Sequence, residues 1–439
     1  MLTVRETAEL LNLSNPRVYQ LIREGKLRAE KFGNAWVIDK KSVRERLSQE
    51  NRPGRPELFP KERQRKYTLM NREYEILDFE YDIEKKQFSW SGDIKDKDRA
   101  PIGIVSPRGR TASTVNLQSW WKGRAIPAER PGIQERLHTL GYTETYDPAF
   151  DSLGFSLSDQ YWIKPSGSNL NWHDLNYFEN DFEMGSDKSD MLSSVGLKNP
   201  DNTSDGCLPK KWICDYEDRV LLKGGSSLGQ EPFNEKIASE LFSMFLEKRE
   251  YVEYRIEEHG GKRLSACSCF INSNEEYVPA WHIIEAKKKP NHLNYYQHYI
   301  NCCAELGVED IAESLEKMIV LDFAIMNFDR HYRNFGLIRN VEDLTWRVAP
   351  LFDTGNSLLC DVSFYDLERH LFKFTSKPFY EDPKRQLRLA SDLSWLDCDK
   401  FDGLEQIIEE VLSSDDVLSQ RIPYITQEVA RQIEFIKSR

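Results

Sequence analysis

The chain has 439 residues and a formal net charge of −12. This length exceeds what one hydrophobic core usually serves, so we expect two or three domains and room for an enzyme. An acidic chain cannot coat nucleic acid along its whole surface, because neutralising phosphates needs clustered Lys and Arg. Residues 1–66, however, carry 16 Lys and Arg against 9 Asp and Glu, so the pattern predicts a basic head on an acidic body.

The sequence contains no run of eighteen apolar residues. Met1 leads into polar Arg5 and Glu6 without an apolar signal-peptide core. We therefore expect a cytoplasmic protein with no membrane partner. The spacing of its eight cysteines matches neither a zinc pair nor a disulfide framework, which predicts reduced thiols.

The first fifty residues carry the signals of two short helices joined by a tight turn. Thr3 can cap the first helix, whose apolar residues recur at helical spacing through Leu11. Ser14 can cap the second helix, Pro16 fits its first turn, and its apolar face stops at Gly25.

A winged arrangement follows. Residues 29–31 and 36–38 are strand-like and flank Gly33 and Asn34, and residues 40–47 form a third amphipathic stretch. This order resembles the excisionase-like (MerR-type) helix-turn-helix over residues 2 to about 50. The matching segments are Leu2-Thr3-Val4, Ala8-Glu9-Leu10-Leu11, Val18-Tyr19-Gln20-Leu21-Ile22 and Gly25-Lys26-Leu27.

The resemblance implies that residues 1–50 bind double-stranded DNA. In such domains the N-terminal turn of the second helix enters the major groove. The candidates for base edges are Asn15, Arg17 and Gln20, and those for phosphates are Arg23, Lys26 and Arg28. A helical packing or protein-interaction module is the alternative, because small helical domains share this patterning.

Residues 51–66 lose apolar periodicity and gather prolines among charges, which predicts a flexible linker. Residues 67–150 combine alternating strand-like runs with a helix-like segment near 133–140, and this mixture predicts a small α+β subdomain. At the C-terminus, apolar residues between 404 and 436 form two helical stripes that belong in a core.

The sharpest chemical signal is a polar loop, Asn327-Phe328-Asp329-Arg330-His331-Tyr332-Arg333-Asn334, between a helix-like run and a strand-like run. Asp329 and Asn334 are five residues apart. Kinase catalytic loops use this separation, with the Asp on the substrate hydroxyl and the Asn on a metal. Taken alone, Asp329 could simply cap a turn.

A second acid follows the next strand, in Leu351-Phe352-Asp353-Thr354-Gly355. Its place matches that of the metal-binding aspartate of kinases, and magnesium prefers such oxygen ligands together with substrate phosphates. By itself Asp353 could be a solvated loop acid. The order and spacing of Asp329, Asn334 and Asp353 favour a phosphoryl-transfer site.

Phosphoryl transfer also needs a cation for the nucleotide phosphates. Lys223 ends an apolar strand, and Glu235 lies early in a predicted helix after Pro232, so the two could pair as in protein kinases. The alternatives are a surface lysine and a glutamate that complements the helix dipole.

Glycines occur on both sides of the strand that ends at Lys223. Upstream, Gly206 and Lys210 lie at the start of a predicted hairpin, a candidate lid over phosphates. Residues 224–229 are glycine-rich but lack the Lys-Ser/Thr ending of a P-loop, which excludes a Walker A motif.

These segments resemble HipA-like kinases in identity and order over residues 67–439. The matching segments are Gly206-Cys207-Leu208-Pro209-Lys210, Leu222-Lys223, Asn234-Glu235, Asn327-Phe328-Asp329-Arg330-His331 with Asn334, and Leu351-Phe352-Asp353. The resemblance implies an α+β chain with a two-lobed HipA/protein-kinase-like fold after the small winged helix-turn-helix domain. It also implies ATP and Mg²⁺ as cofactors, a protein substrate, and Ser/Thr phosphorylation.

The resemblance implies a kinase N-lobe over residues 151–272 and a helical C-lobe over residues 273–439. The implied catalytic residues are Asp329, Lys223, Glu235 and His331, and the implied metal ligands are Asn334 and Asp353. The implied nucleotide-binding residues are Gly206, Lys210, Lys223, Cys269 and Phe270, the last two from an adenine hinge at residues 267–271. His331 could share proton handling with Asp329 or could only orient the loop.

HipA-like kinases often phosphorylate a serine of their own glycine loop. Thr203 stands at that position here, with Ser204 beside it, and both are candidates for self-phosphorylation. Family members are commonly inhibited by a separate helix-turn-helix antitoxin, which makes an antitoxin a candidate partner. This chain carries its own DNA-binding head, and we hypothesise a fused autoregulator.

Two other functions fit parts of the pattern. Asp-Arg-His with a following Asn also resembles the catalytic loop of phosphoinositide kinases, so a lipid or small-molecule kinase is the alternative enzyme. A non-catalytic, nucleotide-sensing transcription regulator is the alternative outside enzymes. The joint presence of Lys223, Asp329, Asn334 and Asp353 favours catalysis over that regulator.

Overall fold

The computed structural model describes residues 2–11, 13, 15–23, 25–32, 35–43, 64–105, 111–127, 130, 133–139, 142–182, 200–203, 208–215 and 218–439. The chain divides into two compact units, Met1–Arg63 and Gln64–Arg439. In the part of the chain that the structure describes, no helix is long and apolar enough to cross a membrane.

The first unit is a small winged helical domain. Its elements are β1 (Leu2–Thr3), α1 (Val4–Leu11), α2 (Asn15–Arg23), β2 (Ala29–Phe32), β3 (Ala35–Ile38) and a helix over residues 40–43, here α3. As predicted, Thr3 caps α1: its Oγ1 accepts from the Glu6 N–H at 3.2 Å, and Glu6 accepts from the Thr3 N–H in return. The predicted cap Ser14 and the turn at 33–34 lie outside the described residues.

The strands of this unit pair in the order β1-β3-β2, all antiparallel. The predicted apolar face of α2 supplies the centre of the core, where Val18 and Leu21 are fully buried with Ile38 of β3. Burying one face of α2 leaves the polar residues on its other face exposed.

The second unit begins with a four-stranded antiparallel sheet in the order β6-β5-β4-β7. Its elements are β4 (Gln64–Asn71), β5 (Tyr74–Asp82), β6 (Gln87–Ser91), α4 (Thr114–Lys122), α5 (Ile133–Thr139), α6 (Asp147–Asp151) and β7 (Tyr161–Pro165). The sheet corrects two predicted boundaries. Strand β4 begins inside the predicted linker 51–66, and β7 pairs with β4, so the subdomain extends past residue 150.

A second sheet, in the order β10-β11-β9-β8, forms the wall of the N-lobe. A 3₁₀ turn (Pro200–Thr203) precedes its strands β8 (Lys210–Asp215), β9 (Asp218–Lys223), β10 (Arg255–His259) and β11 (Lys262–Ser268). Helix α7 (Glu231–Phe245), the predicted helix after Lys223, packs against β10 and β11 with its apolar residues.

The C-lobe is mainly helical around one large core. Its elements are β12 (Glu275–Pro279), α8 (Ala280–Glu285), α9 (Tyr295–Glu305), α10 (Ile311–Ala324), β13 (Gly336–Asn340), β14 (Trp346–Val348), α11 (Phe364–Arg369), α12 (Pro383–Leu387), α13 (Leu404–Leu412), α14 (Asp416–Ser419) and α15 (Ile422–Lys437). The predicted stripes are confirmed as core faces, because Leu404, Ile408 and Leu412 of α13 pack against Ile425 and Val429 of α15.

A buried polar cluster joins the first sheet of this unit to the C-lobe. The Glu276 carboxylate on β12 pairs with Arg339 on β13 and accepts from Asn71 Nδ2 on β4 at 2.8 Å. The Tyr161 hydroxyl on β7 donates to the same carboxylate at 3.3 Å. Because a buried carboxylate needs such partners, the cluster fixes the subdomain beside β12 and β13.

Candidate active site

The loop of residues 327–334, here the catalytic loop, connects α10 to β13. Asp329 points both carboxylate oxygens at partners from later loops. Its Oδ2 accepts from Asn356 Nδ2 at 3.2 Å, and its Oδ1 pairs with Lys377 Nζ at 2.6 Å. The Asp329 side chain keeps 39% of its surface exposed, which leaves it reachable by a substrate group.

Arg330 organises the catalytic loop from underneath. Its Nε and Nη2 donate to the two oxygens of Asp322 on α10, both at 2.8 Å, and this pair is almost completely buried. Its Nη1 donates to the Asn334 carbonyl at 3.0 Å and also to the Phe352 carbonyl. One guanidinium therefore ties α10 and the catalytic loop to the residue that precedes Asp353.

Lys223 and Glu235 form the ion pair that their spacing predicted, and Asp353 joins it. Lys223 Nζ contacts Glu235 Oε1, and it lies 2.5 Å from Asp353 Oδ1. The second oxygen of Glu235 accepts from Ser265 Oγ. Lys223 is thus held between the N-lobe helix α7 and the loop that carries the candidate metal ligand.

Burial and charge act against each other in this cluster. Burial alone raises the pKa of Asp353, but Lys223 and Lys210 outweigh it and hold that pKa well below its ordinary value. Burial lowers the pKa of Lys223, but Asp353 and Glu235 outweigh it and raise that pKa well above its ordinary value. Burial raises the pKa of Glu235 even though Lys223 lowers it. We infer that Asp353 and Lys223 are both charged near neutral pH.

A cavity of about 730 Å³ collects these groups. Lys223, Asp329, Asn334 and Asp353 all line it. Lys210 lines it as well, and its proximity to Asp353 shows in the effect on the pKa of that carboxylate. Residues from four separate stretches of the chain therefore meet on one space of ligand size.

One end of the cavity is apolar. The residues there include Leu221, Val252, Cys267, Phe270 and Phe352, and the Phe270 and Phe352 rings lie 5.2 Å apart. The predicted hinge residues Cys269 and Phe270 both line the cavity. Burial raises the pKa of the Cys267 and Cys269 thiols to about 12 each, so both are neutral and suit a planar apolar ligand.

The start of α7 is bonded to the loop that follows Asp353. Asn234 Nδ2 donates to the carbonyls of Gly355 and Ser357 at 2.8 and 2.7 Å. Gln230 Nε2 donates to the Leu358 carbonyl at 2.9 Å. These bonds hold Glu235, one residue after Asn234, at a set distance from Asp353.

The remaining predicted site residues have mixed placements. His331 lines the cavity, but its Nδ1 accepts from the Arg333 N–H at 3.3 Å, a contact that shapes the loop. Thr203 lines the cavity with its hydroxyl donated to the Phe155 carbonyl at 3.3 Å and the Pro200 carbonyl at 3.1 Å. Ser204 and Gly206 lie outside the described residues.

Sequence reasoning missed Asn356, Lys377 and Asp322. For the first two the sequence offers no signal, because they lie in loops far along the chain from Asp329. Asp322 did offer one: a lone acid inside the apolar run of α10 is almost always paired when it is buried.

The predicted DNA-contacting residues occupy one region of the first unit. Asn15 and Arg17 are exposed in the first turns of α2, and Arg23 is exposed at its end. Lys26 and Arg28 are exposed in the segment between α2 and β2. Gln20 is on α2, but its side chain lies outside the described set.

Comparisons with known proteins agree with the division of the chain into a small first unit and a larger second unit. Residues 1–51 match a family described as a helix-turn-helix domain. No curated protein sequence matches the chain. The seven cysteines that the structure describes form no disulfide among themselves.

Solved structures match the larger part of the chain. One is a chain from the Shewanella oneidensis MR-1 toxin–antitoxin complex of HipA, HipB and operator DNA. It has 12% identity and a TM-score of 0.52, and the match covers 84% of this chain and 96% of that chain. Another is the Helicobacter pylori proinflammatory kinase CtkA, with 16% identity and a TM-score of 0.39, covering 51% of this chain and 91% of that chain.

At such low identity the likeness to the Shewanella chain shows the fold. The protein is an α+β chain with a helix-turn-helix domain followed by a HipA-like, two-lobed kinase fold. This confirms the predicted fold class.

Proposed function

We propose that the protein is an ATP- and Mg²⁺-dependent kinase that phosphorylates serine or threonine of a cytoplasmic protein. One observation carries the proposal: Lys223, Asp329, Asn334 and Asp353 line a single cavity, with Lys223 paired to Glu235. An ion pair with a purely structural role would not require the Asn334 amide and two acids, Asp329 and Asp353, to line the same cavity. Phosphoryl transfer does require them.

Asn334 and Asp353 suit magnesium. Both offer hard oxygen atoms to the cavity, and the lowered pKa of Asp353 keeps its carboxylate ionised. Among the residues described, no group of three or more His, Cys, Asp or Glu could hold a metal, which fits an ion that takes its other ligands from phosphates and water. Bound magnesium would neutralise the charge that develops on the phosphates.

The other residues would share the remaining tasks. Asp329 would orient the acceptor hydroxyl and accept its proton as the bond to phosphorus forms. Lys223 would contact the nucleotide phosphates while Glu235 holds it in place. The apolar end with Phe270 and the neutral thiols would take the adenine ring.

Transfer of labelled γ-phosphate from ATP tests this function, with the protein itself, a cell lysate and liposomes as acceptors. We expect Mg²⁺-dependent labelling that Asp329→Ala reduces by at least about 10³-fold. Loss of self-labelling on Thr203→Ala would assign Thr203 as an acceptor. Measurable ATP binding without labelling of any acceptor would overturn the kinase proposal in favour of a nucleotide-sensing regulator, and labelling confined to liposomes would favour a lipid kinase.

We also propose that the first unit binds double-stranded DNA at the gene's own promoter, which would make the chain a fused autoregulator. The match to helix-turn-helix domains and the exposed basic residues around α2 support this proposal. A separate antitoxin partner is the alternative, suggested by the antitoxin in the Shewanella complex.

Arg17→Ala should weaken binding to the promoter by about 1–3 kcal/mol and relax its sequence preference, because a bidentate contact to a base edge is lost. Fluorescence anisotropy with promoter and scrambled duplexes measures both effects. Arg28→Ala, at a candidate phosphate contact, should weaken both duplexes equally. Equal affinity of the wild-type protein for the two duplexes would sink the autoregulation proposal.

A further inference from the structure

Lys377 holds the catalytic loop from a distant part of the chain. Its Nζ lies 2.6 Å from Asp329 Oδ1, although 48 residues separate the two. The main chain of Lys377 is anchored twice: its N–H donates to the Phe328 carbonyl at 2.9 Å, and its carbonyl accepts from Gln386 Nε2 at 2.6 Å. The backbone position is therefore set, while 58% of the side-chain surface remains exposed.

Lys377 approaches Asp329 from outside the nucleotide cavity. Among the described residues the lining includes Asp329 and its other partner Asn356, but not Lys377. Under the proposed function, an acceptor would reach Asp329 from this outer side. When an acceptor hydroxyl forms a hydrogen bond with Asp329, the Lys377 ammonium would lie beside the same carboxylate. It could then also pair with a negatively charged group of the acceptor.

A second lysine lies near the catalytic loop through a pair of aromatic rings. Lys289 lies over the Tyr295 ring at 5.3 Å, and that ring is 6.3 Å from the ring of Tyr332 in the loop. Arg333, next to Tyr332, is exposed but lines the nucleotide cavity itself.

The segment that carries Lys377 adds another cation. Arg385 lies over the Tyr380 ring at 4.0 Å, and the Tyr380 hydroxyl accepts from Asn294 Nδ2 at 3.5 Å. The segments of Lys377 and Tyr295 therefore meet. We name Lys289, Lys377 and Arg385 the acceptor-side cations.

The two segments that carry the acceptor-side cations are basic, whereas the chain from residue 67 onward is acidic overall. Residues 287–296 carry three lysines and no acid, and residues 369–388 carry six Lys and Arg against Glu381 and Asp382. From residue 67 onward the chain has 44 Lys and Arg against 63 Asp and Glu. Cations concentrated beside the loop of an otherwise acidic protein favour an anionic partner.

We propose that the acceptor-side cations bind an acidic segment of the protein acceptor, with a carboxylate beside the phosphorylated hydroxyl placed on Lys377. This rests on the proposed kinase function and specifies its substrate class. A peptide fits better than nucleic acid, because Glu381 and Asp382 would repel a continuous phosphate backbone.

The test uses two fluorescein-labelled peptides with one central serine, flanked in one by glutamates and in the other by glutamines. Fluorescence anisotropy measures their affinity for the full-length protein and three variants: Lys377→Met, Lys377→Glu and Lys262→Glu. Lys262 is the matched control, because it is exposed at the far end of the β10–β11 hairpin.

We expect the acidic peptide to bind the wild-type protein about tenfold more tightly than the glutamine peptide. Lys377→Met should reduce this tenfold preference to about threefold, and Lys377→Glu should remove nearly all of it. Lys262→Glu should leave the preference unchanged. Equal affinities for the two peptides, or equal effects of Lys377→Glu and Lys262→Glu, would overturn the proposal. A single-stranded RNA of matched charge serves as a further probe. If Lys377→Glu weakened binding of this RNA and not of the acidic peptide, the proposal would also be overturned.

The binding readout does not depend on catalysis. A wild-type protein that prefers the acidic peptide through Lys377 but transfers no phosphate to it, to itself or to a lysate would contradict the kinase function while leaving the acidic-segment site standing. Phosphorylation of both peptides with equal kcat/KM would support the kinase and overturn the site. Circular dichroism melts of each variant establish that the fold is retained.

Discussion

Asp353→Asn should reduce phosphate transfer by about 10³-fold or more while the protein stays folded. The substitution keeps the volume of the side chain and removes its charge. Lys223 retains its pair with Glu235, so the N-lobe contact survives. What is lost is the anionic oxygen that would hold magnesium against the phosphates.

Single-turnover transfer and nucleotide affinity with and without Mg²⁺ check this expectation. Asp353→Asn should abolish the gain in ATP affinity that Mg²⁺ provides, whereas Asp329→Asn should slow transfer and preserve that gain. Asp361→Asn is the matched control, since Asp361 is an exposed acid eight residues further along the same loop region. An Asp353→Asn protein that transfers phosphate at the wild-type rate would remove Asp353 from the proposed site.

The pH dependence follows from the lowered pKa of Asp353. A carboxylate with a depressed folded-state pKa stays ionised as the pH falls from neutral and is protonated only at strongly acidic pH. Protonation of Asp353 should therefore not slow phosphate transfer between pH 7 and 5. A loss of transfer measured in that range would report the titration of another group.

Arg330→Met should destabilise the protein by about 3–5 kcal/mol and also disable the site. It leaves the buried Asp322 carboxylate without its bidentate partner and frees the carbonyls of Asn334 and Phe352. The catalytic loop and the Asp353 segment would lose their common anchor. Urea unfolding measures the stability, and γ-phosphate transfer measures the function.

Two controls separate these effects. Arg347→Met breaks the exposed pair with Glu275 and should cost no more than about 1 kcal/mol. The double variant Arg330→Met with Asp322→Leu removes both buried charges and should recover much of the stability without restoring transfer. An Arg330→Met protein as stable and as active as the wild type would contradict the anchoring role.

Much of the candidate site follows from local sequence. A strand that ends in Lys223, a helix that begins before Glu235, and the spacing of Asp329 and Asn334 are short-range patterns, and the described elements have the predicted types at these places. The pairing of Lys223 with Glu235 follows because the two lie only twelve residues apart on adjacent elements. The helix-turn-helix is predictable for the same reason, since caps and apolar periodicity act within one turn.

Other features depend on contacts between distant residues. The boundary at 150 was wrong because β7 completes a sheet with β4 across a connection of some ninety residues, which no local pattern encodes. Asn356 and Lys377 reach Asp329 only after separate loops of the C-lobe have folded together.

The sequence by itself determined the order of elements, the head with its basic charge, and the kinds of residue available for phosphoryl transfer. Only the tertiary structure decided that Asp353 pairs with Lys223, that Arg330 anchors two loops, and that Lys377 reaches Asp329. The physical reason is range: helix and strand patterns act over a few residues, whereas a buried ion pair forms wherever packing brings opposite charges together out of water.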